Sequence, residues 1–328
     1  MLFRRLGLAT LSIVYLLILA GGIVRATGSG MGCPDWPRCF GSWVPPTDVS
    51  QLPANYQKLY GAKLKGEVVF NAAKTWIEYV NRLLGVLTGL AIFATLLASV
   101  SFWKKDRVVF WASLLAFVLV SFEGWLGSKV VSTELHPGMV TAHMAVAILI
   151  VFVLLYALAR SYSGLVSVEK IRSKSGLNRV LVLVMALTLA QVMLGTQVRE
   201  ALDEVVRRIG YDRNRWIENL DLPFYIHRSF SLVVLGAHGF LVYQLSRDGG
   251  TRGILKRFTS VLIGLILVET ASGIAMAYFG VPAFLQPLHL TLAIVALGVQ
   301  FVLLLLLNQE WAFGKSVRSG GRVTQVVS

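Results

Sequence analysis

The sequence predicts an all-α membrane protein of eight transmembrane helices, arranged as two repeat-related four-helix bundles. Three observations predict it. Of 328 residues, 55% are hydrophobic and only 15% charged, too apolar for a soluble fold and suited to a multi-span membrane protein. Eight apolar runs are each long enough to cross a bilayer, which takes about 20 helical residues. Part of the chain also returns at an offset of 146. Tyr79-Val80-Asn81-Arg82 reappears as Tyr225-Ile226-His227-Arg228, and His143 reappears as His289, in each case 62 residues further on.

The runs lie near 6–24, 76–102, 108–130, 139–160, 177–199, 223–246, 258–280 and 286–308. The first follows Arg4-Arg5 and is long for a signal peptide, so it reads as a span. Residues 1–160 form the N-terminal bundle, with an outer loop at 25–75 that holds both cysteines. A basic linker at 161–176 joins it to the C-terminal bundle at 177–308, and a tail follows at 309–328. Four spans per half is an even number, so both halves insert in the same sense, related by an axis along the membrane normal.

The net charge of +14 does not point to nucleic acid, because no basic–aromatic patch accompanies it. Of 31 lysines and arginines, 17 fall in short loops and tails on one side, whereas the segment 200–221 carries six acids against four arginines. By the positive-inside rule both termini, the linker and the tail are cytoplasmic. The chain is then a multi-pass plasma (inner) membrane protein with its cysteine loop outside. Cys33 and Cys39 are too few for a zinc site and well placed for one disulfide, which persists outside the cytoplasm.

The chemistry-bearing residues cluster at span starts. Asn81 and His227 lie about one turn inside the second span of each half, and His143 and His289 sit at similar depth in the fourth. Two neutral imidazoles on facing helices suit heme iron; a hydrogen-bonded packing role is the plainer alternative. Arg82 and Arg228 follow a ligand position each, and either snorkel to headgroups or pair with heme propionates. Glu123-x3-Gly127 and Glu269-x3-Gly273 also repeat. An intramembrane carboxylate is costly and reads as functional, but Gln191-x3-Gly195 has the same shape and favours helix packing.

Glu78 has no such counterpart: Phe224 stands there in the second half. An acid found only beside Asn81 reads as chemistry, with pairing to Lys74 or Arg82 as the alternative. His238 lies three turns beyond His227, roughly 16 Å deeper, and reads as a buried polar contact. His136 reads as exposed.

The string from Gly21 to Cys39, GGIVRATGSGMGCPDWPRC, resembles the heme A synthases of aerobic respiratory chains. Glu78-Tyr79-Val80-Asn81-Arg82 is similar to that family's ExxHR element, and the likeness covers essentially the whole chain. The resemblance implies that heme O is the substrate, a ring methyl being oxidised to a formyl group by successive hydroxylations. It implies that the N-terminal half binds that substrate, with His143, Asn81 and Arg82 around it and Glu78 as the catalytic carboxylate. It implies that the C-terminal half holds heme b for electron transfer, with His227 and His289 as iron ligands and Arg228 beside them. Cys33 and Cys39 match the family's outer-loop pair, a disulfide with a redox or heme-transfer role or a simple staple.

The partners implied are the heme O-producing membrane enzyme, an electron donor and the lipid bilayer, with no nucleic acid; a homo-oligomer is compatible with this. Asn81 stands where the family pattern has His. An amide is a poor iron ligand, so the first half keeps one strong protein ligand, and impaired turnover is expected. The competing reading is a heme b electron-transfer subunit without chemistry of its own.

Overall fold

The computed structural model describes residues 1–61, 69–163, 174–210, 212–248, 253–309 and 312. Most of the expected linker at 161–176 and tail at 309–328 lies outside these residues. Among the described residues the chain is helical and contains no strand beyond an isolated bridge between Cys39 and Ser42.

The first half comprises α1 (Leu2–Ala26), the short α2 (Tyr56–Tyr60), α3 (Ala72–Ser99), α4 (Arg107–Ser132) and α5 (Pro137–Ser161). The second comprises α6 (Lys174–Ile209), α7 (Leu222–Asp248), α8 (Ile254–Tyr278) and α9 (Leu285–Leu307). All but α2 are long and apolar enough to cross a membrane, which gives the eight expected spans. Side-chain caps mark several starts. Asn71 accepts from the Lys74 N–H, and Asp106 accepts from the Val108 N–H. His136 Nδ1 accepts from the Gly138 N–H, with Pro137 in the first turn of α5, so this exposed imidazole is a helix cap.

The fifth span departs from expectation. Instead of ending near residue 199, α6 runs to Ile209. Its 36 residues make a rod of about 54 Å, against a hydrocarbon core of about 30 Å. The extension is amphipathic: Val198, Ala201, Leu202, Val205, Val206 and Ile209 form one stripe. That stripe packs on Trp216, Leu220, Phe224 and Val281. The mixed charge of this segment disguised a helix whose apolar face is buried by tertiary contact.

In the first half the pairs in extensive contact are α1 with α3, α3 with α4, α4 with α5 and α1 with α5. In the second they are α6 with α7, α7 with α8, α8 with α9 and α6 with α9. Each set closes a ring in which α3 and α5, or α7 and α9, lie across from each other. The halves meet mainly through α1, α5 and α9. Phe152 stacks on Phe301 at 4.7 Å there, and Ile148, Val192, Ile294 and Leu297 fill the seam. Lipid is as apolar as these side chains, so close backbone approach does much of the holding. Gly22 shows it: a Cβ there would stand 2.7 Å from Pro287 Cβ and 2.9 Å from its Cα.

Candidate functional site

His143, His227 and His289 each lie within the first two turns of their helices, and Asn81 lies in the third turn of α3. Those four starts fall at one end of the bundle, the end where the chain passes from α1 to α3, from α4 to α5, from α6 to α7 and from α8 to α9. The four positions therefore lie toward one end of the bundle, on helices that stand across from each other in the two rings.

Each position rests against a glycine of a neighbouring helix. A Cβ at Gly127 on α4 would lie 3.6 Å from His143 Cε1, and one at Gly273 on α8 would lie 3.3 Å from His289 Cε1. One at Gly195 on α6 would lie 3.4 Å from His227 Cε1, and one at Gly21 on α1 would lie 3.9 Å from Asn81 Oδ1. The glycines let these side chains lie close against helix backbone; the fit is tightest at Gly273, and at the other three a Cβ would make ordinary van der Waals contact. Gly21 and Gly195 were not recognised as site residues in the sequence, since α1 and α6 do not align at the offset of 146.

The carboxyl groups of the repeated Glu-x3-Gly pairs meet the same rings. Glu123 Oε1 is 3.1 Å from His143 Nδ1, and Glu269 Oε1 is 3.2 Å from His289 Nδ1. The Ser272 hydroxyl is 2.8 Å from His289 Nδ1. The Glu123 approach is close but short of hydrogen-bond alignment, so His143 Nδ1 counts as buried without a partner. Gln191 differs: its Nε2 donates to the His227 carbonyl at 3.0 Å and lies 3.4 Å from His227 Nε2.

Buried polar atoms without a hydrogen-bond partner are scarce in native proteins and call for an explanation. Among the described residues, six such atoms belong to these positions: Asn81 Oδ1, Glu123 Oε2, His143 Nδ1, Gln191 Oε1, His227 Nδ1 and Glu269 Oε2. Their concentration fits a polar group received between the helices. No cluster of three or more His, Cys, Asp or Glu suited to a bare metal ion is present among the described residues. A porphyrin supplies four of the iron's ligands itself and asks the protein for only two, which the His227 and His289 pair can provide.

The loop between α1 and α3 closes over the first half. Cys33 and Cys39 form a disulfide and are fully buried. Asp35 folds the loop inward, accepting from the Phe40 and Gly41 N–H groups at 2.6 and 2.8 Å. Phe40 packs on Tyr60 and Phe70. The underside is gripped by α3: the Tyr79 hydroxyl donates to the Trp43 carbonyl at 2.6 Å, and the Thr75 hydroxyl donates to the Gly32 carbonyl at 2.9 Å.

Glu78 and Arg82 form the centre of that grip. Arg82 donates through Nε to Glu78 Oε1 at 3.1 Å and through Nη1 to the Asp35 and Arg38 carbonyls at 2.7 and 3.0 Å. Its Nη2 donates to the Cys33 carbonyl at 3.0 Å and again to Glu78. A guanidinium has five donors, and these contacts engage all of them. Glu78 Oε2 accepts from the Cys33 N–H at 2.9 Å, and the residue is 4% exposed. The carboxylate thus lies against the backbone of Cys33, paired with Arg82 and not with Lys74.

The equivalent residues of the second half do none of this. Arg228 is exposed, with no side-chain partner among the described residues, and Tyr225 is 52% exposed. The second half is capped by the α6 extension instead, where the Trp216 indole donates to the Gly210 carbonyl at 3.0 Å and Arg213 donates to the Val281 carbonyl at 2.7 Å. Between the caps, Arg199 donates to Asp203 Oδ1 at 2.6 Å and to the Arg25 carbonyl at 2.9 Å, while Arg25 reaches Asp203 Oδ2 at 3.3 Å. Deeper in the second half, the His238 ring contacts the Val234 carbonyl and Gln300 Nε2, both at 2.7 Å.

The family model described as COX15-CtaA, cytochrome oxidase assembly protein, matches residues 4–301. The chain belongs to this family. It is similar to the heme A synthase of Shewanella oneidensis, 26% identical over 305 residues, covering 85% of this chain and 89% of that protein. It is similar to the heme A synthase of Bartonella tribocorum, 25% identical over 316 residues, covering 86% and 85% of the two chains. A third relative, the heme A synthase of Methylorubrum extorquens, is 26% identical over 321 residues, with 87% and 81% covered. Membership in this family and eight helices able to span a bilayer make the chain a multi-pass membrane protein.

Proposed function

We propose that this protein is a heme A synthase, a membrane oxidoreductase that converts a ring methyl of heme O to a formyl group by successive hydroxylations. The observation that carries the reading is the unlike chemistry of two similarly built halves. In the second, two partly buried imidazoles stand on α7 and α9, the helices across the ring from each other. In the first, one imidazole and one amide occupy those positions, and a buried acid stands one helical turn from the amide.

In this reading His227 and His289 hold heme b in the second half, where heme iron supplies an electron relay that no side chain can provide. His143 and Asn81 flank the substrate, heme O, in the first half. The Asn81 amide is a weak donor to iron, so its side stays open to water or oxygen and turnover is impaired relative to relatives with His. Glu78 holds or moves a proton at Oε1 or Oε2 near the substrate edge. Arg82 keeps that carboxylate in place and ties it to the disulfide loop, which excludes water from the outer mouth.

The termini are cytoplasmic and the disulfide loop is outside, by the distribution of Lys and Arg. An electron donor and the membrane enzyme that makes heme O complete the implied partners. The test is to express the chain in cells that make heme O but not heme A, extract the pigments and ask for heme A. Heme A supports the reading. A bound heme b with no heme A, in the chain and in its Asn81→His variant alike, leaves the electron-carrier alternative.

A further inference from the structure

We propose that each imidazole position is held by a two-part seat on the neighbouring helix, a polar residue followed four positions later by glycine. In this scheme Glu123 and Glu269 are positioning residues for His143 and His289. The inference rests on the heme reading above and goes beyond it, because it assigns work to residues outside the ligand set.

The spacing places both parts of a seat on one helix face. On α4 and α8 the two parts meet the same ring: the glycine at Cε1, and the carboxyl at Nδ1, 3.1 Å away for Glu123 and 3.2 Å for Glu269. An imidazole has two nitrogens, and a carboxyl at Nδ1 leaves Nε2 as the one for iron. An oxygen accepting from Nδ1–H makes Nε2 a stronger donor; at His289 the Ser272 hydroxyl also meets Nδ1, at 2.8 Å, and at His143 the Glu123 carboxyl is within reach of Nδ1 without hydrogen-bond alignment. On α6 the seat is Gln191 with Gly195, and there the amide grips the ligand's own peptide, at the His227 carbonyl.

The fourth seat separates a ring-holding role from simple helix packing. Behind Asn81 the glycine remains, as Gly21, but four positions before it stands Leu17. The polar residue is missing where the imidazole is missing. If these residues served only to pack helices, the polar one would have no reason to follow the ring. Glu123 and Glu269 also each keep one buried oxygen without a partner, a cost that helix packing alone does not justify.

The test is made on the second half, using the full chain purified in detergent with the heme it carries. Heme content, the low-spin optical spectrum and the midpoint potential are measured for the unsubstituted chain, Glu269→Gln and Glu269→Leu. Glu269→Gln keeps the shape and an acceptor of lower strength; it should retain heme and shift the potential upward, because the imidazole becomes a poorer donor. Glu269→Leu should weaken heme retention by about 10- to 100-fold, the usual effect of losing an outer-shell partner. If Glu269→Leu folds poorly, the Glu269→Gln potential decides. An unchanged potential and spectrum in a heme-loaded variant would overturn the seat while leaving the heme reading intact. An unsubstituted chain that binds no heme would overturn both.

Discussion

The two halves of this protein share a ring of four helices and differ in what covers it. Over the second half lies an apolar cap, in which the α6 extension buries a stripe against Trp216, Leu220 and Phe224. Over the first lies a disulfide loop whose backbone is held by charged side chains of α3. Under the proposed function the difference teaches that one scaffold is kept for one task and opened for another. A fixed cofactor needs two good ligands and a quiet lid. A substrate that enters and leaves needs weaker ligation and a lid connected to the reacting group.

The largest expected effect attacks the fixed site. His289→Ala removes one imidazole of the second half, and the heme b absorption should fall to background, whereas His143→Ala should leave it in place. Equal losses from both would erase the distinction between the halves. Next is Glu78→Gln. Conversion of heme O should drop by about 10²- to 10⁴-fold, the range for losing an acid–base group, measured as heme A extracted per chain. Breaking the buried pair with Arg82 should also cost about 3–5 kcal/mol locally, seen as faster proteolysis of the outer loop. Faster proteolysis with full conversion would make Glu78 a staple and nothing more.

A gentler intervention makes the halves alike. Asn81→His supplies the missing imidazole, and Leu17→Gln supplies the missing polar partner four residues before Gly21. The double variant should show more low-spin heme in the first half than Asn81→His alone, because contacting residues couple. A double variant identical to the single one would argue against the coupling. The smallest effect concerns the outer loop. The Ser50 hydroxyl and backbone N–H beside Asp48 hold its carboxyl below the ordinary carboxylate range. A depressed value means that the stabilisation is fully present above the unfolded carboxylate pKa and is lost as pH falls through the folded one. Loop cleavage by an acid-active protease should therefore rise slightly in that acid window, and Asp48→Asn should remove the step.

How much was legible follows from how each feature is written in the chain. Eight apolar runs and the 62-residue spacing of the repeated positions are local or periodic, so they could be read directly. The facing of those positions could not, because helices apolar nearly all round carry no periodic mark of which side is inward. Glu123 and Glu269 read as packing residues for the same reason; their contact with Nδ1 depends on how α4 meets α5 and α8 meets α9. Arg82 read as a partner for headgroups or propionates, since nothing local indicates that three of its five donors close on a loop more than 40 residues away.

Composition and order of residues by themselves determined that this chain spans a bilayer eight times, that it carries a repeat, and which family it belongs to. These follow from the thickness of hydrocarbon and from motifs that survive as strings. Only the tertiary structure decided that the carboxylate of Glu78 lies against Cys33, that α6 continues to Ile209 to cap its own half, and that each ring rests on a glycine. Such contacts join residues far apart in sequence, and their geometry is set by how closely helix backbones approach, a quantity no single segment contains.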